Sequence, residues 1–202
     1  MAVVGGSGSG KTWLADKLQA ALGSKAGRLS LDDFYRDRSH LSPAQRARIN
    51  FDNPAAIDWP AFERVIENCL LQRKSRALRY DFNTHRRLPK PNIVQPKPII
   101  LIDGLWLLWR PRIRRFFGLR IFMDCPAKMR LQRRLVRDVT GRGRTARSVR
   151  ERFRKTVEPM HRKYVAPQVR WADFKIGADW DDRDAERLAL AIKSAVDRNS
   201  ET

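Results

Sequence analysis

The stretch Gly5-Gly6-Ser7-Gly8-Ser9-Gly10-Lys11-Thr12 constrains this chain more than any other part of its sequence. It fits the pattern G-x-x-x-x-G-K-[ST], in which a glycine-rich turn joins a strand to a helix. The apolar run Ala2-Val3-Val4 predicts the strand, and leucines at four-residue spacing predict a helix that ends at Gly23. A flexible Gly/Ser linker is the alternative, but a linker needs neither the Lys-Thr pair nor the flanking elements. The stretch therefore predicts a phosphate-binding loop.

Each part of this loop is suited to binding a nucleoside triphosphate. Glycines let the backbone curl until successive N–H groups point at phosphate oxygens, and the positive end of the following helix adds to the attraction. Lys11 is expected to reach the β- and γ-phosphates and to act in catalysis, and the Thr12 hydroxyl is expected to ligate Mg²⁺. We expect ATP or GTP, with Mg²⁺, as the cofactors.

Length and composition favour a single domain of a globular protein. The 202 residues are 42% apolar, which is enough for a substantial core, and no run of about 18 apolar residues predicts a membrane span. No signal peptide is expected, because glycines and Lys11 interrupt the N-terminal apolar run. That run is short, which leaves open a start upstream of Met1. Cys69 and Cys125 lack metal-ligand spacing, so we expect reduced core residues and a cytoplasmic location.

Strand and helix patterns alternate along the chain. Further strands are predicted at 28–31, 99–104, 119–124 and 172–176, and helices from Ser42, Asp58 and about Asp181. This alternation predicts an α/β fold with a mainly parallel sheet flanked by helices. Residues 76–98 interrupt it with two short β-like pieces, 79–82 and 93–94, among several prolines. We predict a β-hairpin excursion there that carries substrate contacts.

Acidic residues follow two of the predicted strands. Asp103 ends an apolar strand downstream of the loop, as in a Walker B motif, where a carboxylate can hold Mg²⁺ directly or through water. Asp32 and Asp33 follow the second strand, where one carboxylate could take the proton of an acceptor hydroxyl. An acid-rich turn without function is the alternative. We count Thr12, Asp32 and Asp103 as the candidate metal ligands.

The formal net charge of +20 is concentrated in residues 110–155, which hold 17 lysines and arginines but only three acids. Its arginines lie on a predicted helix–glycine–helix hairpin, broken at Gly141-Arg142-Gly143-Arg144. Such a hairpin suits a lid, over 126–160, that closes on transferring phosphate. The alternative is a nucleic-acid surface, which usually interleaves aromatic residues for stacking. Between 121 and 155 only Phe122 and Phe153 are aromatic, and both are predicted core residues, so we favour the lid.

The order and spacing of these motifs resemble the uridine-cytidine kinases over nearly the whole chain. The shared segments are Gly5–Thr12, Leu31-Asp32-Asp33-Phe34-Tyr35, Asn50-Phe51-Asp52-Asn53-Pro54, Tyr80-Asp81-Phe82 with His85, Asp103-Gly104-Leu105, Arg133–Asp138 with Arg142-Gly143-Arg144, Val157-Glu158-Pro159, Pro167 and Ala172-Asp173. The resemblance implies a P-loop NTPase fold with a five-stranded sheet, and a single kinase domain over 1–202. It also implies transfer of the γ-phosphoryl of ATP to a pyrimidine nucleoside 5′-hydroxyl.

The same resemblance assigns roles to individual residues. Asp32 matches the catalytic base, Asp52 the acceptor of ribose hydroxyls, and Tyr80 with His85 the pair that contacts the pyrimidine edge. Phe51 and Phe82 match apolar walls of that site. Arg137 and Arg142 match lid positions near the phosphates, Arg137 with a role in catalysis, and Arg134 and Arg144 match positions near the nucleoside. The expected partners are a nucleoside and a nucleoside triphosphate, without specific nucleic acid, in a homodimer or homotetramer.

Three positions depart from the family pattern. Asp33 stands where Ser is common, Asp103 where Glu is common, and Arg152 where some members place a nucleoside-contacting Gln. Arg152 therefore leaves the substrate open. The alternatives are a related kinase for another small alcohol, such as phosphoribulose, pantothenate or nicotinamide riboside, and a nucleic-acid-binding NTPase.

Overall fold

The computed structural model describes residues 1–200, without the side chains of Ala47, Asn199 and Ser200. The strands are β1 Ala2–Gly5, β2 Ala26–Ser30, β3 Ser75–Ala77, β4 Tyr80–Asp81, β5 Arg86–Arg87, β6 Asn92–Val94, β7 Ile99–Gly104, β8 Arg120–Met123 and β9 Phe174–Ile176. The α-helices are α1 Lys11–Leu22, α2 Pro43–Ala47, α3 Trp59–Leu70, α4 Pro111–Arg114, α5 Ala127–Arg142, α6 Ala146–Arg152, α7 Glu158–Met160 and α8 Asp182–Ser200.

The central sheet has five strands in the order β2-β7-β1-β8-β9, and every neighbouring pair is parallel. The α/β prediction and all five predicted strands are confirmed. Strand β7 is apolar from Ile99 to Ile102 because helices and loops cover both faces of a parallel sheet. Val4 pairs with Gly104 and Ser30 with Asp103, so β1, β2 and β7 end at one edge. This edge brings together the glycine-rich loop and the acidic turns.

Two apolar layers cover the sheet. On one face α1 and α8 pack through residues such as Leu14, Leu18 and Ala185. On the other face Phe62 of α3 packs with Trp106 and other buried side chains of the chain after β7. Helix α3 begins as predicted, with the carboxylate of Asp58 accepting from Ala61 N at 3.2 Å. Leu70, the last residue of this helix, is exposed.

The excursion between α3 and β7 is a β-hairpin, as predicted, but its two predicted pieces do not pair with each other. Ser75–Ala77 pairs with Asn92–Val94, and Tyr80–Asp81 pairs with Arg86–Arg87 nearer the tip. The short ladder at the tip therefore lies inside the ladder at the base of the hairpin, and unpaired residues separate the two. The arginine partner strand carries no apolar pattern, which is why periodicity did not indicate it.

A long helical segment follows β8. Helix α5 ends at Gly143, whose φ of 60° lies in the left-handed region that glycine favours, and Thr145 caps α6 by accepting from Ser148 N. From α6 the chain stays helical through Val165, with π-helical turns at Phe153–Val157 and His161–Val165. Phe153 is buried, as predicted, and so are Val149 and Val157. We call α5 and α6, residues 127–152, the arginine hairpin.

Two further predictions concern cysteines and membranes. Cys69 and Cys125 are both buried and both free, as the sequence predicted. Among residues 1–200, no helix combines the length and the apolar character that crossing a membrane requires.

Candidate active site

The glycine-rich loop curls between β1 and α1. Gly8 and Gly10 have φ angles of 83° and 100°, which other residues adopt only with strain. Ser9 N donates to Gly6 O at 3.0 Å, which closes the turn, and Gly10 stands directly before the first residue of α1. The sequence pattern thus gave the local geometry as well as the location of the loop.

The loop lies in close contact with the segments that follow β8. A Cβ on Gly8 would come within 2.6 Å of the Arg130 carbonyl oxygen, and a Cβ on Gly6 within 2.7 Å of His161 Nδ1. Arg133 Nη1 donates to Ser9 O at 3.2 Å, so α5 is hydrogen-bonded to the loop backbone. His161 is half-buried in this contact.

Lys11 and Asp32 lie together at the end of the loop. Lys11 is only 7% exposed, and burial lowers its pKa against the opposing effect of the Asp32 charge. Burial raises the pKa of Asp32, and Lys11 opposes that shift. One oxygen of Asp32, Oδ1, is buried without a hydrogen-bond partner among the described residues. The pair places a buried cation beside a carboxylate suited to accept a proton.

The residues around Thr12 fit a Mg²⁺ ion that is also held by phosphate and water. Thr12 Oγ1 donates to Asp103 Oδ2 at 3.0 Å, and Asp103 is 1% exposed. The described residues include no cluster of three or more His, Cys, Asp or Glu that would hold a metal alone. Mg²⁺ usually takes one or two carboxylates and completes its shell with substrate phosphates and water, so hydroxyl and carboxylate oxygens here suit it.

An arginine that sequence analysis did not single out also contacts this acid. Arg28 of β2 donates from Nη1 to Asp103 Oδ1 at 2.7 Å. Arg28 stands two residues before Ser30, which is the partner of Asp103 in the sheet. The sequence could indicate this contact only to a reader who already knew which strands pair.

Asp138 organises the arginines of the arginine hairpin. Its side chain is fully buried, and four guanidinium groups lie within 4 Å of its carboxylate: those of Arg134, Arg137, Arg142 and Arg144. Burial alone would raise the pKa of Asp138, but the hydrogen bond from Arg137 and the surrounding charges lower it. The sequence places Asp138 on the predicted helix, but nothing in the pattern identified it as the centre of this cluster.

Aromatic rings form the opposite side of the site. Phe51 and His85 stack with 4.2 Å between ring centroids and 7° between planes. Tyr80 and Phe82 pack edge-to-face at 5.4 Å. Tyr35, which sequence analysis did not assign to the site, contacts both Phe51 and Tyr80, and its hydroxyl donates to Phe51 O at 2.9 Å.

Buried polar atoms lie among these rings. The Tyr80 hydroxyl and His85 Nδ1 are buried and have no hydrogen-bond partner within residues 1–200. Burial, followed by the charges of Arg144 and Arg152, lowers the pKa of His85 to about 4, so this imidazole is neutral at pH 7. Unpartnered polar atoms are costly in a protein interior, which makes them indicators of ligand contact.

The two adjacent acids of the second turn differ in their surroundings. Asp32 lines the cavity, whereas Asp33 accepts a hydrogen bond from Tyr80 N at 3.4 Å, at the base of the hairpin. Burial raises the pKa of Asp33 to about 6. The geometry thus separates two carboxylates that the sequence left adjacent.

One cavity collects most of the predicted site residues. It is lined by Ser7, Lys11, Thr12, Asp32, Tyr35, Phe51, Asp52, Tyr80, Phe82, His85, Leu105, Arg134, Arg137, Arg142, Arg144 and Arg152. The loop glycines, Ser9 and Asp103 are not among these lining residues. Of the lining residues, sequence analysis missed Tyr35 and Leu105 as site residues, although both stand inside segments that carry the resemblance.

Comparison with known proteins agrees with this geometry. A family model described as "Phosphoribulokinase / Uridine kinase family" matches residues 1–179. The chain belongs to this family. It is similar to the uridine kinase of Clostridium perfringens, with 35% identity over 175 residues, covering 86% of this chain and 84% of the relative. It is also similar to that of Chloroflexus aurantiacus, with 37% identity over 172 residues, covering 85% and 82%.

Solved structures share the fold of this family member. Phosphoribulokinase from Rhodobacter spheroides has a TM-score of 0.66 at 17% identity, covering 92% of this chain and 72% of its own. D-glycerate 3-kinase from Cryptococcus neoformans has a TM-score of 0.58 at 18% identity, covering 79% and 76%. With the family membership, the glycine-rich loop and the parallel sheet, the chain is a P-loop kinase.

Proposed function

We propose that this kinase transfers the γ-phosphoryl group of ATP, or of GTP, to the 5′-hydroxyl of uridine, cytidine or both. The observation that carries the proposal is that Lys11 and Asp32 line the same cavity as Tyr80 and His85. One end of that cavity has the residues of a phosphate site, and the other has rings and polar atoms suited to a base. The similarity to proteins named uridine kinase supports the same substrate class.

In the proposed transfer, the 5′-oxygen forms a bond to the γ-phosphorus as the bond from that phosphorus to the bridging oxygen breaks and ADP leaves. Asp32 accepts the proton that the hydroxyl loses, and its raised pKa favours this uptake. Lys11, Arg137 and Arg142 supply positive charge around the transferring group. Mg²⁺, held by Thr12 and the carboxylates of Asp32 and Asp103, would neutralise phosphate charge and align the phosphates.

The other lining residues are assigned to the nucleoside. Asp52 would accept hydrogen bonds from the ribose hydroxyls, and Arg134 and Arg144 lie close enough to influence its charge. Tyr80 and His85 would contact the pyrimidine edge, because their buried polar atoms have no partner of their own. A neutral imidazole donates from one nitrogen and accepts at the other, which suits either uracil or cytosine. Phe51 and Phe82 would limit the pocket to the smaller bases.

We assign the arginine hairpin as the lid. Five of its arginines line the cavity: Arg134, Arg137, Arg142, Arg144 and Arg152. A surface that binds nucleic acid would need such cations outside this cavity, where a nucleic-acid backbone can reach them. The nucleic-acid-binding alternative predicts tight binding with a steep salt dependence, whereas a lid predicts weak, non-specific binding.

Arg152 supports a second candidate function. It lines the cavity, and its charge acts on both Asp52 and His85. A cation at this place could select an alcohol that bears an acidic group instead of a neutral nucleoside. The second candidate is therefore a kinase for a small anionic alcohol, and substitution of Arg152 by Gln would separate the two.

A coupled ADP-release assay across nucleosides and small alcohols tests both candidates. We expect turnover with uridine and cytidine, little with purine nucleosides, and none without an acceptor. Turnover with an anionic alcohol and none with pyrimidine nucleosides would reject the first candidate in favour of the second. A cytoplasmic location, predicted from the cysteines, and a homodimer or homotetramer, predicted from the resemblance, stay predictions.

A further inference from the structure

We propose that Arg28 is a positioning residue that restricts Asp103 to contacting the catalytic Mg²⁺ through water, and that it weakens divalent-metal binding in the kinase–nucleotide complex. The inference rests on the proposed use of a metal–nucleotide, but not on the identity of the acceptor. It concerns a residue that neither the motif nor the resemblance assigned.

Four side chains form a hydrogen-bonded row across the sheet edge. Arg28 Nη1 donates to Asp103 Oδ1 at 2.7 Å, and Thr12 Oγ1 donates to Asp103 Oδ2 at 3.0 Å. At its other side Arg28 Nε lies 3.4 Å from Asp16 Oδ1. Asp16 is four residues after Thr12 on α1, so the helix supplies both ends of the row. The guanidinium is also anchored to its own strand, by Nη1 donating to Leu29 O at 3.1 Å.

The strand pairing explains how an arginine reaches this acid. Ser30 is the partner of Asp103 between β2 and β7, and Arg28 lies two residues earlier on β2. Residues two apart on a strand point to the same face, so Arg28 extends along the sheet towards the strand ends. The side chains of Arg28 and Asp103 are only 17% and 2% exposed, which distinguishes this pair from screened surface ion pairs.

Each oxygen of Asp103 already accepts one hydrogen bond, Oδ1 from Arg28 and Oδ2 from Thr12, and the lone pairs that are left can still accept from a water molecule. A carboxylate that ligates Mg²⁺ directly must present an oxygen at about 2.1 Å in octahedral geometry, which brings the ion against one of the two donors already in place. Losing the Arg28 contact would leave a poorly solvated guanidinium unpaired, which is costly. The charge of Arg28 also opposes a second cation nearby. Asp103 therefore accepts from metal-bound water in place of ligating.

The test measures Mn²⁺ binding to the kinase in the presence of ATP and without an acceptor. Arg28→Met keeps the length of the stem but removes the charge and the donors. We expect it to bind Mn²⁺ about tenfold more tightly, the lower end of what a neighbouring charge does to a partly buried group. Broadening of the electron paramagnetic resonance signal of Mn²⁺ in ¹⁷O-enriched water counts the water molecules bound to the ion. We expect Arg28→Met to show one fewer than the wild type, because Asp103 would then ligate Mn²⁺ directly.

Matched variants separate this role from a structural one. Arg28→Lys keeps the charge and should hold Mn²⁺ affinity near the wild-type value. Asp16→Asn removes the other acidic partner of Arg28 without touching Asp103, and it should leave the affinity and the water count unchanged. Arg28→Gln also lacks the charge, so it should show the same Mn²⁺ affinity and water count as Arg28→Met. It takes the place of Arg28→Met in the experiment if thermal unfolding shows that Arg28→Met does not fold.

Two negative outcomes are distinguishable. Wild-type affinity and water count in both neutral variants, with the wild type binding Mn²⁺ and ATP normally, would overturn this inference and leave the proposed function intact. Failure of the folded wild-type protein to bind Mn²⁺ with ATP would overturn the proposed function, and this inference with it.

Discussion

Arg134 Nη1 donates to the hydroxyl of Ser7 at 2.6 Å, a contact that joins helix α5 to the phosphate-binding loop across 127 residues of sequence. Arg134 is 5% exposed, so this is a buried link rather than a surface contact. This hydrogen bond couples the conformation of the loop to that of the arginine hairpin. Changes in either element should therefore alter nucleotide binding.

The first prediction concerns Lys11. Lys11→Met keeps the apolar stem and removes the charge, so phosphoryl transfer should fall by roughly 10²-fold or more. The melting temperature should stay or rise, because a buried ammonium is removed. ADP release and thermal unfolding measure the two effects. Lys17→Met on the same helix is the control: Lys17 is exposed and pairs with Asp182, so its loss should leave turnover unchanged. Near-normal transfer by Lys11→Met would reject the phosphate-loop assignment.

The second prediction compares the adjacent acids. Asp32→Asn keeps the shape of the side chain but removes the proton acceptor, so kcat should fall by roughly 10²–10⁴-fold with little change in nucleotide affinity. Asp33→Asn should have a much smaller effect, because Asp33 contacts Tyr80 N at the hairpin and does not line the cavity. Steady-state kinetics and nucleotide binding test the pair. The reverse ranking would show that Asp33 is the base.

The third prediction concerns Asp138. Asp138→Asn removes the charge that holds four arginines together, so their mutual repulsion should open the arginine hairpin. We expect KM for ATP to rise and kcat to fall together. Glu151→Gln is the control, because Glu151 is an exposed acid of α6 that pairs with Lys155. Equal kinetics for the two variants would mean that the arginine cluster does not need its central carboxylate.

The fourth prediction concerns substrate discrimination. His85→Ala removes a stacked ring and a polar atom from the nucleoside end of the cavity, so KM for uridine should rise more than KM for ATP. A loss of about tenfold or more is expected where a site hydrogen-bonds its substrate. His40→Ala serves as the comparison, since His40 is exposed and does not line the cavity. Parallel increases in both KM values would argue against a base-contacting role.

The fifth prediction concerns acid stability. Burial lowers the pKa values of His85 and His161 to about 4, against an ordinary value of 6.5. Between these pH values both histidines bind more protons in the unfolded chain than in the folded one, so their contribution to stability should decline as pH falls from about 6.5 to about 4. The pKa of Asp33, raised to about 6, acts in the opposite direction below that pH. Urea unfolding at stepped pH isolates the contribution of His85 as the difference between the wild type and His85→Gln, in which the slope of stability against pH should be less positive. An unchanged slope in that variant would place the effect elsewhere.

Much of this protein follows from the sequence alone. The strand–loop–helix pattern located the phosphate site, and apolar runs identified the central strands β1, β7 and β8, which are buried in the parallel sheet. Phe153, predicted as a core residue, is buried. These features are local: neighbouring residues and a fixed period decide them. The resemblance added the residues that we propose for the base site, and they line one cavity.

Tertiary structure alone decided which polar groups meet. Arg28 and Asp103 are 75 residues apart, and only the pairing of β2 with β7 brings them together. The pairing of Tyr80–Asp81 with Arg86–Arg87 was likewise invisible, because an arginine strand has no apolar period. Asp138 has Arg134 and Arg142 at helical i,i+4 spacing, but only the turn after α5 returns Arg144 to its carboxylate. Charge pairing between different elements acts at any sequence separation once the backbone has folded, and so composition and spacing could not determine these contacts.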